Sequence, residues 1–185
     1  MSPGDVHIRA REPADVPTLA AALLAQQPET GYPVRNPLPI PVEDFLHAHD
    51  AEKAWTAEVD GRPVGHVCYL GPARGSPEAD LLNKICAEAH GCDTTELAWV
   101  STLFVAAEAR GLGIGRRLMG TVTDDVRGRG LRSCLEVLPT HQGAMSLYLA
   151  TGWRVVHRFQ PDWLRTVVGE NGPELHVMVR TDHQR

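Results

Sequence analysis

The sequence predicts a mixed α/β protein with six or seven strands and about five helices, and three observations support this class. Short apolar, β-branched segments are interspersed with segments whose apolar residues recur at helical spacing. Strand-like segments lie at both ends and in the middle of the chain, so a strict repeat of βαβ units does not fit. The chain has 185 residues, 43% of them hydrophobic, which suits one domain over residues 1–185.

The first quarter of the chain predicts a strand, two helices and a shaped loop. Residues 6–9 form a short strand, and Asp15 can cap a helix whose apolar residues begin at Val16. Residues 26–42 are too rich in proline for regular structure, so they predict a loop. A short helix over residues 42–48 follows.

The middle of the chain predicts a hairpin and a helix. Strands over 55–59 and 64–70 flank Asp60-Gly61, a pair that suits a tight hairpin turn. After a loop over 71–76, Ser76-Pro77 can start a helix that Gly91 ends. The remaining predicted elements are a strand over 97–105, a helix over 113–127, a strand over 132–138, a helix over 142–150, and closing strands over 153–159 and 175–179 joined by a turn at 171–173.

The most informative segment joins the strand end Leu103-Phe104-Val105 to the run Arg110-Gly111-Leu112-Gly113-Ile114-Gly115. Glycines let backbone N–H groups approach a bulky anion, and the start of a helix adds unpaired N–H groups and partial positive charge. The segment therefore predicts a phosphate or pyrophosphate site, with Arg110 beside it. A Walker loop is excluded because Arg116-Arg117 replaces the required Gly-Lys-Ser/Thr.

A second segment runs from His141 through Ala144, Leu147 and Tyr148 to Gly152-Trp153. Together with the Arg-x-x-Gly-x-Gly spacing before it, this segment resembles the GCN5-related N-acetyltransferase (GNAT) superfamily. The family's matching segment reads Asn-x-x-Ala-x-x-Leu-Tyr-x-x-x-Gly-Phe. The chain departs from it at His141, which replaces the asparagine. The resemblance is strong over 97–155 and vague over 26–95.

The resemblance implies a strongly bent mixed sheet and a site for acetyl-CoA between the strand ending at Val105 and the strand over 132–138. Backbone groups of Leu103, Phe104 and Val105 would pair with the pantetheine arm, as an added strand does. The implied pyrophosphate contacts are the glycine-loop residues and nearby cations, namely Arg110, Gly111, Leu112, Gly113, Ile114, Gly115, Arg116 and Arg117. His141 would contact the coenzyme arm or an ordered water.

Acetyl transfer in such a protein needs no covalent enzyme intermediate, because an amine attacks the thioester directly within a ternary complex. The family's tyrosine corresponds to Tyr148, which would protonate the leaving thiolate. Glu136 is the first candidate for the general base. Glu96, a water-mediated transfer and the lack of a dedicated base remain alternatives, whereas Trp99 and Ser101 cannot act as bases.

The acceptor is less constrained than the coenzyme. A primary amine of a small molecule is the first expectation, and a protein N-terminus or lysine is the second. An acyl-CoA-binding sensor without activity and a nucleotide-binding regulator are further alternatives. Substrate choice would reside in residues 26–50 and 71–95. The aromatic and histidine side chains that could line a pocket are Tyr32, Phe45, His47, His49 and Tyr69.

Composition excludes several classes of function. A formal charge of −5 argues against a nucleic-acid surface. The sequence contains no run of 18 apolar residues, so we expect no membrane span. The first residues lack the character of a secretory signal, so we expect a cytoplasmic protein with reduced cysteines. We also expect a monomer or a homodimer. Cys86, His90 and Cys92 lie close in sequence, but a fourth ligand is missing and we expect no metal.

Overall fold

A computed structural model describes residues 5–47 and 51–181, and within these ranges the chain forms seven strands and six α-helices. The strands are β1 Val6–Ala10, β2 Ala51–Val59, β3 Arg62–Leu70, β4 Leu97–Val105, β5 Arg132–Val137, β6 Trp153–Phe159 and β7 Leu175–Arg180. The α-helices are α1 Val16–Thr30, α2 Val42–His47, α3 Ala79–His90, α4 Ile114–Gly128, α5 Gln142–Ala150 and α6 Asp162–Val168.

The strands form one sheet in the order β1-β2-β3-β4-β5-β7-β6. Strands β1, β2 and β3 pair antiparallel, β4 pairs parallel with β5, and β7 pairs antiparallel with both β5 and β6. The sheet is therefore mixed, which confirms the predicted fold class. The number of strands is the upper of the two expected values, and there is one α-helix more than expected.

The chain divides into two compact units, each with its own apolar core. Unit 1 comprises Met1–Leu70 and Val100–Asp125, and unit 2 comprises Gly71–Trp99 and Val126–Arg185. Strand β4 therefore contributes its first three residues to unit 2 and the rest to unit 1. A single catalytic domain over the whole chain stays a prediction.

The core of unit 1 is built by the apolar face of α1. Its buried members, taken from α1, α2 and β4, are Val16, Leu19, Ala20, Leu23, Leu46 and Phe104. The β2–β3 hairpin turns at Asp60 and Gly61, whose φ angles of 51° and 76° are both positive. Such a pair matches the right-handed twist of the strands, which confirms the predicted tight turn.

The core of unit 2 forms where α3 packs on one face of the sheet. Its buried members are Leu82, Cys86, Ala87, Leu97, Trp99, Cys134, Val177 and Val179. The buried amide of Asn83 joins three parts of this unit: it accepts from Trp99 Nε1 at 3.0 Å and bonds both the N–H and the C=O of Ala73. The loop before α3 is thereby held to the strand after it.

Three local predictions in the chain were wrong. Helix α1 continues through Pro28, a residue expected in a loop, and ends at Thr30 with Gly31 as its C-cap. Asp15 does not cap α1, because its carboxylate accepts from Arg9 and Thr56 instead. Helix α6 occupies part of the segment between β6 and β7, where only a turn was expected.

Among residues 5–47 and 51–181, none of the helices combines the length and apolar character needed to cross a lipid bilayer.

Candidate active site

The glycine loop of unit 1 joins β4 to α4 in a backbone conformation that requires glycine. A short 3-10 helix over Ala107–Ala109 leads to an extended Arg110, and Gly111 and Gly113 follow with φ angles of 81° and 72°. L-residues with side chains rarely adopt such angles, so glycine is required at both positions for backbone reasons. A Cβ at either position would meet no atom within 4 Å, so the backbone at both positions is unobstructed.

Helix α4 begins directly after this loop and leaves its first amides unpaired within the helix. The N–H of Arg117 donates to the carbonyl of Gly113 at 3.1 Å and closes the first turn. The N–H groups of Ile114, Gly115 and Arg116 therefore precede any intrahelical acceptor. Unpaired amides at the positive end of a 15-residue helix form a site that favours a phosphate group.

The three predicted cations of this loop differ in what they contact. The guanidinium of Arg110 donates to Gln26 at 2.7 Å and to Glu29 at 3.4 Å, both on α1. Arg117 donates to the carbonyl of Val6 at 2.8 Å, so it holds β1. Arg116 is exposed, and within the described part of the chain it has no hydrogen bond or ion pair. Of these three arginines, Arg116 is therefore the one whose side chain is not engaged by another described residue.

The last residues of β4 point their backbone groups in alternate directions. The N–H of Ala106 donates to Val64 of β3 at 2.7 Å, and the Phe104 carbonyl lies against Gly65 of the same strand. Because backbone groups alternate along a strand, the amides of Leu103 and Val105 point away from β3. The Phe104 side chain is buried in the core of unit 1.

Sequence reasoning missed a left-handed residue in this strand. Thr102 has a φ of 53°, an outlier for a β-branched residue and one that costs of the order of 1–3 kcal/mol. Its carbonyl accepts from Nδ1 of the fully buried His66 at 2.9 Å. No local signal predicts this conformation, because threonine is a favourable strand residue.

In unit 2, Glu136 lies on β5 opposite Val177 of β7. Its side chain is exposed, and the surrounding protein together with the charge of Glu78 raises the pKa of its carboxyl to about 7. Because the side chain is exposed, water screens part of this effect. A carboxylate that titrates near neutrality is suited to act as a general base.

Tyr148 of α5 is 7% exposed, and its ring packs on Trp153 with centroids 5.9 Å apart. Burial raises the pKa of its phenol well above the usual value, so the hydroxyl is protonated at neutral pH. Among residues 5–47 and 51–181, no hydrogen bond to this hydroxyl is formed. Within that part of the chain, the phenol is a hydrogen-bond donor without an acceptor.

His141 occupies the position immediately before α5. Its N–H donates to Leu138 and its carbonyl accepts from Met145, both at 3.0 Å, while its side chain does not cap the helix. The ring is half-buried. The role of the family's asparagine at this position stays a prediction for His141.

The alternative base Glu96 has a structural partner. Its Oε2 accepts from the N–H of Asp93 at 2.8 Å, in a capping box that shapes the turn before β4. The next residue, Leu97, pairs with Arg132 at the start of β5, four positions before Glu136. Glu96 precedes Leu97, so it is offset by five positions from Glu136, which is roughly 16 Å along the strand direction.

The predicted acceptor side chains of unit 1 are not equally accessible. Tyr32 and Phe45 pack with ring centroids 6.5 Å apart and are half-buried, as is His47. Tyr69 is fully buried and donates to Asp125 at 3.3 Å, so it serves packing rather than a pocket. His49 lies outside the described residues.

The cysteine–histidine cluster of unit 2 is held by the fold. Cys86 is fully buried in the apolar core, and His90 donates from Nε2 to the carbonyl of Ser133 at 3.0 Å. Over the part of the chain that the structure describes, no three histidine, cysteine or acidic side chains are arranged to hold a metal ion.

Residues 20–153 match the model of the Acetyltransferase (GNAT) family. The match spans well over half of the chain, so the protein belongs to this family and is an acyltransferase. The reaction of the family is acetyl transfer from acetyl-CoA. No curated protein sequence matches the chain significantly.

Solved structures share the fold at low sequence identity. A GCN5-related N-acetyltransferase from Kribbella flavida is 22% identical, with a TM-score of 0.66 over 96% of this chain and 98% of that chain. YncA of Salmonella typhimurium, a putative acetyltransferase solved with acetyl-CoA, is 16% identical, with a TM-score of 0.68 and coverages of 97% and 95%. A ribosomal-protein-alanine N-acetyltransferase from Brucella melitensis is 21% identical, with a TM-score of 0.66 and coverages of 95% and 99%.

Proposed function

We propose that the protein transfers an acetyl group from acetyl-CoA to a primary amine of a small molecule, by direct attack in a ternary complex. The observation that carries this proposal is the Tyr148 phenol, which is buried, protonated and without a partner among the described residues. A protein that only binds coenzyme has no need of such a donor.

The coenzyme would be held mainly by backbone groups of unit 1. The unpaired amides of Ile114, Gly115 and Arg116 are suited to the pyrophosphate, and Gly111 and Gly113 supply the loop conformation that exposes them. Arg116 would add charge. The amides of Leu103 and Val105 would pair with the coenzyme arm in the manner of an added strand.

Arg110, Leu112, Phe104 and His141 have supporting roles in this proposal. Arg110 ties the glycine loop to Gln26 and Glu29 of α1, so it would position the loop rather than contact phosphate. Phe104 anchors its strand in the core, and Leu112 would bind through its backbone. His141 would donate one hydrogen bond to the coenzyme arm or to a water.

The chemistry requires two proton transfers. The neutral amine forms a bond to the thioester carbonyl carbon, the C–S bond breaks, and the amine loses a proton. Glu136 would accept that proton directly or through water, which its titration near neutrality permits. Tyr148 would donate its proton to the leaving thiolate, and the resulting phenolate would recover a proton from water before the next turnover.

A small amine is favoured as the acceptor because a long shaped segment, residues 31–41, joins α1 to α2 without a strand or helix. A protein amine is the alternative, since a structure that shares the fold is a ribosomal-protein-alanine N-acetyltransferase. A sensor that binds acyl-CoA without turnover is the third hypothesis.

Four free thiols, Cys68, Cys86, Cys92 and Cys134, support a reducing compartment such as the cytoplasm. We further propose that the chain acts as one catalytic domain, as a monomer or homodimer, without a metal.

The test is a thiol-release assay with acetyl-CoA over matched panels of small amines and peptides. Release with one class of small amine supports the proposal. Release with peptides alone shifts the acceptor to a protein. Binding of acetyl-CoA without release from either panel favours the sensor.

A further inference from the structure

A buried network of hydrogen bonds in unit 1 connects three elements to Thr102, the residue with a left-handed backbone conformation. His66 is fully buried on β3, and its Nδ1 lies 2.9 Å from the Thr102 carbonyl. Its Nε2 lies 3.1 Å from Nη1 of Arg11, at the end of β1. Arg11 also donates to the carbonyls of Leu46 and His47, the last residues of α2.

The partners of His66 define its proton positions. A carbonyl only accepts and a guanidinium only donates, so Nδ1 carries the hydrogen and Nε2 carries the lone pair. Burial and the adjacent Arg11 charge lower the pKa of the His66 imidazole to about 4, which keeps the ring neutral at physiological pH. The ring thus acts as a fixed donor toward Thr102.

Thr102 needs such a partner because its conformation is unfavourable in isolation. A β-branched residue with positive φ persists only where surrounding contacts determine it. The His66 ring also packs on Phe104, with centroids 6.1 Å apart. His66 therefore contacts the residues on both sides of Leu103, whose amide points away from β3.

We propose that His66 is a positioning residue for the coenzyme: it holds the Thr102 carbonyl and thereby sets the direction of the Leu103 and Val105 amides, while Arg11 fixes the ring. This role rests on the proposed function, because it requires those amides to bind acetyl-CoA. Arg11 additionally couples this arrangement to α2, in the segment where we expect acceptor choice to reside.

The experiment separates the two hydrogen bonds of the ring by substitution. His66→Asn retains a donor near the position of Nδ1, His66→Gln retains an acceptor near Nε2, and His66→Phe retains only shape. We expect acetyl-CoA affinity, measured by calorimetry, to fall roughly 10-fold or more in His66→Phe and His66→Gln. His66→Asn should recover most of that loss.

Thr56→Val is the matched control. Thr56 is fully buried on β2 directly opposite His66, and its hydroxyl donates to Asp15 at 2.9 Å. This variant should lose stability in a thermal melt and keep the wild-type affinity. With an active amine, the His66→Gln enzyme should show a raised KM for acetyl-CoA and a nearly unchanged kcat.

The outcomes distinguish a positioning role of His66 from a purely structural one. Equal affinities for wild type, His66→Gln and His66→Asn would overturn the positioning role and leave the proposed function intact. Absence of binding by wild type would overturn both. If His66→Phe does not fold, the contrast between the two amide variants decides, supported by imidazole ¹⁵N spectra that should show the neutral Nδ1–H tautomer at pH 7.

Discussion

The glycine loop of unit 1 and the β5–α5 segment of unit 2 present two different kinds of chemistry. The loop offers backbone amides, which are fixed by the positive φ angles of Gly111 and Gly113 and by the start of α4. The β5–α5 segment offers two side chains, an exposed carboxylate at Glu136 and a buried phenol at Tyr148.

This difference determines how each region responds to substitution. A backbone site tolerates many side chains but fails where the backbone conformation is lost. A side-chain site fails when one functional atom is removed, even if the fold is unchanged. Binding and turnover should therefore be separable by single substitutions, one set in each unit.

The largest expected effect breaks the backbone site. Gly113→Val should lower acetyl-CoA affinity by roughly 100-fold or more, because two or more charge-assisted hydrogen bonds lose their alignment. Gly61→Val is the control, since Gly61 has a similar φ of 76° and equally open surroundings but lies in the β2–β3 turn. Calorimetry and thermal melts measure both. Equal affinities in the two variants would contradict the role of the loop.

The next effect tests the phenol. Tyr148→Phe should lower kcat by roughly 10- to 1000-fold while the affinity for acetyl-CoA stays near normal, because only the proton donor is removed. Tyr69→Phe removes a hydroxyl from another buried tyrosine, one that donates to Asp125. That control should lose stability and keep kcat. Full activity in Tyr148→Phe would reduce Tyr148 to a packing residue.

The third prediction concerns the base and depends on pH. Glu136 accepts a proton only as carboxylate, and its pKa is raised to about 7, so the rate should rise with pH through that region. Glu136→Gln should flatten this limb and lower the rate at pH 8 by about 10-fold or more.

Glu96→Gln is the control for the base, because Glu96 accepts from the Asp93 amide in a capping box. Because the amide oxygen of glutamine can accept the same bond, this variant should keep its stability and leave the pH profile unchanged. An unaltered limb in Glu136→Gln, with a lost limb in Glu96→Gln, would transfer the base role to Glu96.

The last prediction is that removal of metal ions has no effect on turnover. Treatment with a strong chelator should leave turnover unchanged, since neither the amides of unit 1 nor the side chains of unit 2 require a metal in this account. The thiol-release rate before and after dialysis measures this. Loss of activity restored by added zinc would return attention to Cys86, His90 and Cys92.

The sequence predicted the position of the glycine loop between β4 and α4 better than it predicted the contacts of that loop. Glycine spacing and an apolar strand indicate the loop directly, because positive φ angles demand particular residue types. The sequence did not predict which arginines near the loop remain available to bind a phosphate. Arg110 contacts Gln26 and Glu29, which are more than 80 positions away in the chain, and such pairing depends on tertiary structure.

The conformation of Thr102 and the burial of His66 were likewise not predictable from local pattern. Threonine favours strands, and the partners of His66 come from β1 and β4, so no window of sequence contains the signal. Helix α1 continues past the expected boundary, and its Gln26 and Gln27 side chains donate to the carbonyls of Tyr32 and Pro33 in the segment that follows. The raised pKa of Glu136 similarly arises from surrounding protein and from Glu78.

Calorimetric titration of the wild-type protein with acetyl-CoA, and in parallel with ATP and NAD, tests the central claim most directly. We predict micromolar binding of acetyl-CoA and much weaker binding of both nucleotides, because the loop lacks the lysine of a Walker motif. Preference for ATP or NAD, or failure to bind acetyl-CoA, would contradict the account.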